Sequence, residues 1–216
     1  GGGSGDKLPP IPSLNGTAVD GYLSGMFCYA DVNNNSVYDM GIDIAAKELT
    51  DAQGNFTIIG DGVSGSATIC RAEANAKDEA TGEAFVGQLT APPGAKNVSP
   101  VTTLVVALGG GQAAEDTARS ILGLDSSVNL NANPLENPAL AKAAAQVQAV
   151  VAAISKAISQ QTGTTDIKQQ NAIVVETFKA LANNTDGNAS PLTNKTTLSN
   201  VINEATANTT GTSTNA

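Results

Sequence analysis

The sequence predicts an α+β protein in which an N-terminal antiparallel β-sandwich is followed by a helical bundle. Residues 15–94 contain short apolar runs separated by Gly-rich turns at spacings of about ten residues, a pattern typical of sandwich strands. After Pro92-Pro93-Gly94 the chain becomes Ala-rich and takes on the apolar periodicity of helices. Aromatic residues are only 3% of the 216 residues, so Ala, Val, Ile and Leu must build the core.

These observations divide the chain into four segments. The predicted segments are a flexible Gly/Pro-rich arm or tether (1–14), a β-sandwich domain (15–94), a helical domain (95–208) and a flexible tail (209–216). The arm, "GGGSGDKLPPIPSL", combines a flexible Gly/Ser piece with a Pro-rich spacer, as a tethered domain needs. It resembles the mature start of a bacterial lipoprotein; an engineered linker is the alternative interpretation.

The predicted strands are marked by alternation and by turns. "GTAVDGYLSGMFCYAD" alternates apolar and small positions, and "GSATICRAEA" and "EAFVGQLTAP" are further strand candidates. Asp51-Ala52-Gln53-Gly54 predicts a tight turn in which Gly54 takes a positive φ. The residues expected to face inward in the first stretch are Val19, Tyr22, Met26, Cys28 and Ala30.

The predicted helices have recognisable ends. Ser99, followed by a proline, is a good N-cap. "GGGQAAEDTARSILGL" predicts a short amphipathic helix ending at Gly123, and "NPALAKAAAQVQAVVAAISKAISQQTG" a long one ending near Gly163. The next helix begins after Thr165 or Asp166, either of which could cap it. "TNKTTLSNVINEATAN" predicts a weaker last helix.

Charge and residue types narrow the function. The chain has 11 basic and 20 acidic residues, a net charge of −9, which argues against a nucleic-acid partner and favours divalent cations. Histidine is absent, which removes the commonest general base, the commonest zinc ligand and every Ser-His or Cys-His pair. The sequence therefore predicts a protein that is not an enzyme.

The two cysteines, Cys28 and Cys70, are far apart in sequence and form no CxxC motif. This spacing is typical of one structural disulfide in an exported protein. Closing a loop of about 42 residues would stabilise the fold by roughly 4 kcal/mol in the chain-entropy model. The alternative is two buried thiols in a cytosolic protein.

The stretch "YADVNNNSVYDMGID" has oxygen-bearing side chains at alternating positions, the spacing with which a turn converges ligands on calcium. The candidate ligands are Asp31, Asn33, Asn35, the carbonyl of Val37, Asp39 and Asp43. Ile42 stands where an acid would close an EF-hand-type loop, so Asp43 comes one residue late, and Ser36 replaces the usual glycine. We expect roughly millimolar to high-micromolar affinity. The alternative is an Asx-rich turn without metal.

"AVDGYLSGMFCYADVNNNSVYDMGID", followed by "LTDAQGNFTI", resembles a module of large bacterial surface proteins. That module reads D-G-Y-L-x-G-A-x-V, D-x-N-x-N-G-x-x-D-x-G-E and T-D-x-x-G-x-F, and is related to carboxypeptidase-regulatory-like and B-type repeat sandwiches of adhesins. "GQLTAPPGAKNVSPVTTLVVAL" resembles the segment that follows, so the likeness covers roughly residues 17–160. It implies a calcium loop, with Ile42 departing from the motif, and it places Cys28 and Cys70 on two core strands.

Together these observations predict a non-enzymatic extracellular or outer-surface protein, active in adhesion or as a subunit of a filament or matrix. The expected cofactor is calcium. The expected partner is a second copy, whose Pro-rich arm would add a strand to an open sheet edge, or another surface protein. Membrane contact is expected only through an N-terminal lipid anchor. The alternative is a carbohydrate- or peptide-binding lipoprotein module, although few aromatics are available for a sugar platform.

Overall fold

The computed structural model describes residue 5, residues 8–185 and residues 190–210. This part of the chain has a mixed α/β fold in which two sheets precede five α-helices. The strands are β1 (Ser13–Ala18), β2 (Leu23–Asp31), β3 (Ile44–Ala45), β4 (Asn55–Ile59), β5 (Ala67–Asp78), β6 (Gln88–Ala91) and β7 (Asn97–Val98). The helices are α1 (Pro100–Ala107), α2 (Gly111–Leu122), α3 (Pro138–Thr162), α4 (Ile167–Asn183) and α5 (Lys195–Thr210).

The two sheets differ in topology. The first has the order β4-β1-β7, with β1 antiparallel to β4 and parallel to β7. The second has the order β3-β2-β5-β6 and is antiparallel throughout. A tight turn closed by a bridge between Val19 and Tyr22 separates β1 from β2. The first predicted stretch therefore supplies one strand to each sheet.

The turn before β4 forms as its residues predict. The Asp51 carboxylate accepts hydrogen bonds from the backbone N–H groups of Gln53 and Asn55, both at 2.9 Å. Gly54 has a φ of 74°, and a Cβ at this position would lie 2.4 Å from the Ala18 carbonyl oxygen. Glycine is therefore required here for its conformation and for its size.

The predicted helix ends are confirmed at four places. Ser99 and the following Thr102 form a reciprocal capping box at the start of α1. Gly123 and Gly163 end α2 and α3 in the left-handed conformation. Asp166, rather than Thr165, caps α4, and its carboxylate accepts from the Lys168 N–H at 2.9 Å.

One hydrophobic core joins both sheets to the helices. Of the five residues expected to face inward, four are completely buried and Tyr22 is half-buried. The same cluster includes Met26 from β2, Phe56 from β4, and Val151 and Phe178 from α3 and α4. The helices are thus packed directly on the strands.

Asn171 of α4 makes a polar link inside this apolar contact. Its Oδ1 accepts from the Gly87 N–H at 2.8 Å, and its Nδ2 donates to the Ala72 carbonyl at 2.9 Å. The Ala72 N–H in turn donates to the Gly87 carbonyl at 2.9 Å. A buried side-chain amide therefore fills a gap between β5 and the chain entering β6, and fixes α4 against the sheet.

Helix α3 has 25 residues and an 18-residue window of mean hydropathy 1.2, which satisfies the minimum for a membrane span. The core helix of a soluble protein meets the same criterion, and α3 buries Leu140, Val147, Val151 and Ile154 within the protein. The expected flexible tail overlaps the end of α5 at residues 209–210, and residues 211–216 lie outside the described part. So do residues 1–4, 6 and 7 of the arm.

Candidate functional site

The disulfide joins directly facing residues of neighbouring strands. Cys28 of β2 pairs in register with Cys70 of β5, and their Cα atoms are 4.1 Å apart. Both residues are fully buried on the core side of the sheet. The predicted disulfide is confirmed, and it fixes the register of the β2–β5 ladder. A different group of acidic residues lies at each end of this ladder.

An aromatic cluster covers the outer face of this ladder. The Arg71 guanidinium lies 4.5 Å from the centroid of the Phe27 ring, and the ring centroids of Tyr29 and Tyr38 are 5.2 Å apart. The Tyr29 hydroxyl donates to the Ser36 carbonyl at 3.4 Å, and burial raises the pKa of Tyr29 above its ordinary value. The loop that follows β2 is therefore held down on the strand by Tyr38 and Tyr29.

This loop, residues 31–43, is called the acidic loop below. Its two end carboxylates, Asp31 and Asp43, are only 2% and 8% exposed. Each accepts two backbone hydrogen bonds, so the loop closes on itself through its own acids. The donors are the N–H groups of Asn35 and Ser36 for Asp31, and of Val32 and Asp39 for Asp43, at 2.7–3.3 Å.

The centre of the acidic loop is the half-buried Asp39. Its Oδ2 accepts from the side-chain amides of Asn33 at 2.8 Å and Asn35 at 2.6 Å. These two bonds, the one from Asn33 first, hold the pKa of Asp39 below its ordinary value. Asn34 and Ser36 have positive φ values of 54° and 63°, and this backbone brings the alternate side chains to one side.

The residues of the acidic loop fit a weak calcium site in their chemistry. In the described residues no three His, Cys, Asp or Glu side chains lie close enough to hold a metal ion by themselves. Amide and carbonyl oxygens would have to complete the set, and calcium accepts such ligands readily. Because amide oxygen and nitrogen are nearly interchangeable in shape, turning Asn33 and Asn35 by half a rotation would place their oxygens beside Asp39. Val37 lies in the same loop, and its N–H donates to Asn35.

A cavity of about 790 Å³ lies at the other end of the ladder and is called the cleft below. It is bounded by the β1–β2 turn, the segment after β5, and helices α3 and α4. No periodicity or motif in the sequence predicted it, because its acids, Asp20 and Asp78, come from distant parts of the chain. The polar and charged residues of its walls include Asp20, Asp78, Glu83, Gln148 and Lys156, and its apolar ones Phe85, Val86, Ala152 and Val174.

The cleft borders two side chains whose hydrogen bonding is incomplete among the described residues. Asp20 is half-buried, and no hydrogen bond or ion pair reaches its carboxylate within the described parts of the chain. Burial, and then the nearby charge of Asp78, raise the pKa of Asp20 to about 7. The Oε1 of Gln148 is buried and also has no partner among these residues. Such unsatisfied groups are costly, and they are typical of a site that receives a ligand.

No protein-family model matches this chain, no curated protein has a matching sequence, and no solved structure matches it. The resemblance to a bacterial surface module therefore rests on the motifs quoted above. What the chain does has to be argued from the acidic loop, the cleft and the surface.

Proposed function

We propose that this chain is a non-enzymatic structural protein of an extracellular or outer cell surface, working in adhesion or as a subunit of a filament or matrix. In this proposal the two sheets face each other as a sandwich, the helices form a bundle, and calcium and the disulfide make the assembly rigid. The observation that carries the proposal is that a self-closing, oxygen-rich loop directly follows the disulfide-linked strand β2.

Calcium would act by adding bonds to the oxygens of the acidic loop. Asp31 and Asp43 hold the two ends of the loop together, and the cation would add a bond to each side chain of the central group, Asn33, Asn35 and Asp39. Because calcium is abundant outside cells, even weak affinity would keep such a site filled there. The disulfide supports the same setting, since disulfides persist in oxidising compartments.

Self-association is the proposed mode of action. Leu8 and Ile11 of the arm are 89% and 70% exposed, and Leu49 and Ile59 are exposed beside β4, an edge strand of the first sheet. In this proposal these apolar side chains come together in the contact between two copies, as contiguous apolar patches do in interaction sites. Strand addition to the open edge of β4 is one way in which a second copy would use them.

Calcium binding is tested by thermal unfolding in EDTA and in increasing calcium. At a calcium concentration ten times the Kd, we expect the Tm to rise by about 3–5 °C. The variant Asp39→Ala should lose the shift. Asp125→Ala is the matched control, because Asp125 is an acid outside the acidic loop whose pKa is likewise lowered by hydrogen bonds, here from Ser127. A Tm that ignores calcium, or a shift that survives Asp39→Ala, would contradict the calcium part of the proposal.

Self-association is tested by sedimentation velocity of the full chain over a wide concentration range, with and without calcium. We expect species larger than a monomer that grow with concentration. A chain that stays monomeric throughout would contradict the structural role. It would favour the second candidate, a peptide- or carbohydrate-binding module, for which the cleft and its Asp20 carboxylate, unpaired among the described residues, are the supporting observation.

A further inference from the structure

We propose that the cleft is a binding site for a short, extended, basic and proline-rich peptide segment, and that its occupant is residues 7–12 of a second copy of this chain. The inference rests on the proposed self-association and names the surface that accepts the arm. Four features of the cleft and the arm support it.

The first feature is that the acidic wall of the cleft needs hydrogen-bond donors from a ligand. Asp20 lacks a hydrogen-bond donor within the described residues, and Asp78 and Glu83 add negative charge to the same walls. Among the residues that the structure describes, Lys156 is the one basic residue lining the cleft. The walls thus require a ligand that brings N–H groups and positive charge.

The second feature is the apolar part of the lining. Phe85, Val86, Ala152 and Val174 line the same cavity as the acids. A ligand that carried only charge would leave these side chains in contact with water. The combination therefore suits a segment in which one cation is joined to apolar residues.

The third feature is the arm, whose residues 7–12 read Lys-Leu-Pro-Pro-Ile-Pro. Lys7 supplies a cation, and the highly exposed Leu8 and Ile11 supply apolar side chains. Three of the five residues after Lys7 are prolines without an N–H, so this segment could donate few bonds to an edge strand. Prolines instead favour an extended polyproline conformation, which is recognised by grooves. The cleft therefore suits the arm better than the edge of β4.

The fourth feature is the placement of arm and cleft. The arm enters β1 at Ser13, whereas Asp20 follows the other end of that strand, roughly 20 Å away. A single chain would have to fold its arm back along the whole strand to fill its own cleft. The arm of a second copy, stacked on the Asp20 end of β1, would reach the cleft without folding back. The resulting head-to-tail contact could repeat without closing.

The direct test is zero-length carbodiimide cross-linking of full-length chains, with natural-abundance and ¹⁵N-labelled protein mixed in equal amounts. This reagent joins amines to carboxylates that are in contact. We expect mixed-isotope peptides linking Lys7 to Asp20, Asp78 or Glu83. Links within one isotope only would refute the second copy as occupant. Links from Lys7 to Glu48 or Asp51, which lie beside β4, would refute the cleft as the acceptor.

Two variants test the contact independently by sedimentation velocity. Asp20→Asn and Lys7→Glu should each weaken self-association by about tenfold or more, because each removes one partner of a charged contact. Lys142→Glu, which reverses an exposed charge at the start of α3, is the matched control and should change it less than about twofold. Thermal unfolding of each variant confirms that it is folded.

The outcomes separate this inference from the proposed function. If the chain assembles but Asp20→Asn and Lys7→Glu assemble as well as the wild type, the structural role stands and the cleft is refuted as its acceptor. If the wild type does not assemble at any concentration, both are refuted. Tenfold weakening in both variants, together with the mixed-isotope links, would establish the site.

Discussion

The acidic loop and the cleft lie at opposite ends of the β2–β5 ladder. The pKa values of one carboxylate in each, Asp39 and Asp20, are shifted in opposite directions. In the register of the two strands Asp31 faces Ala67 at one end and Leu23 faces Asp78 at the other, roughly 25 Å away. In the acidic loop, Asp39 accepts two amide bonds and its pKa is lowered. In the cleft, Asp20 accepts no hydrogen bond from the described residues, and burial raises its pKa to about 7. Hydrogen bonds from Asn33 and Asn35 lower the pKa of Asp39, whereas burial, and then the charge of Asp78, raise the pKa of Asp20.

Two acid-rich regions of one protein can therefore serve different purposes. A loop that satisfies its own carboxylates is stable by itself, and a cation would only add to it. A cleft that leaves a carboxylate unsatisfied reduces the stability of the folded chain until a ligand arrives, a cost that is typical of functional sites. Four sets of substitutions test this contrast.

The largest effect is expected from the disulfide between the two ends. Replacing Cys28 and Cys70 together by Ala should lower the free energy of unfolding by about 4 kcal/mol, because the unfolded chain regains the freedom of a loop of about 42 residues. Urea unfolding followed by circular dichroism measures this value. A loss below about 1 kcal/mol would mean that the register of the ladder is held by the strands alone.

The next effect concerns the polar link beside the cleft. Asn171→Ala should lower the free energy of unfolding by about 2–3 kcal/mol, because the Gly87 N–H and the Ala72 carbonyl lose their buried partner. The matched control is Gln169→Ala on the exposed side of α4, with an expected change within about 0.5 kcal/mol. Equal effects of the two substitutions would show that the link does not fix the helix.

Removing the charge of the cleft carboxylate, Asp20, should instead stabilise the folded protein. Asp20→Asn is expected to raise the free energy of unfolding by about 2 kcal/mol at pH 8, since it removes a half-buried charge that receives no hydrogen bond from the part of the chain that the structure describes. The folded state holds a proton on Asp20 up to a pKa of about 7, whereas the unfolded state releases it near 3.8. The contribution of Asp20 to wild-type stability is therefore complete below about pH 3.8 and is lost as the pH rises from there through 7.

Urea unfolding of the Asp20→Asn variant and the wild type at pH 4.5 and pH 8 checks the sign. The two proteins should have similar stability at the lower pH, and the variant should be the more stable at the higher pH. A variant that is less stable at pH 8 would show that the Asp20 carboxylate has a donor in solution, and the contrast between the two ends would disappear.

The smallest effect is the same substitution at the other end. Asp31→Asn should lower the free energy of unfolding by about 1–2 kcal/mol at neutral pH, because one of its oxygens, each of which accepts a backbone N–H, becomes a donor. The expected sign is opposite to that for Asp20→Asn, and both are read in one set of urea curves. Two changes of the same sign would contradict the proposed difference.

Sequence patterns predicted the local features of this fold well. Ser99, Gly123 and Gly163 were identified as helix ends because capping depends on a few neighbouring residues. The Asp51–Gly54 turn follows from the same kind of local chemistry. The cysteine pair was predictable because the chain offers no other pairing.

Non-local features were beyond these patterns. The parallel pairing of β1 with β7 joins residues about eighty positions apart, and the Asp20–Asp78 pair depends on how two turns pack. One signal was present but was missed. Asn171 interrupts the apolar face of α4 between Ile167 and Val174, and a polar residue at such a position indicates a buried partner.

The link through Asn171 also determines how the cleft would meet a partner. Gln170 and Val174, which flank Asn171 on α4, line the cleft, so the wall they form cannot shift without breaking buried hydrogen bonds. This wall of the cleft is pre-organised, so binding of a partner would require little rearrangement. Encounter would then proceed at the ordinary rate for rigid surfaces, and the lifetime of the contact would be set by how slowly the guest leaves.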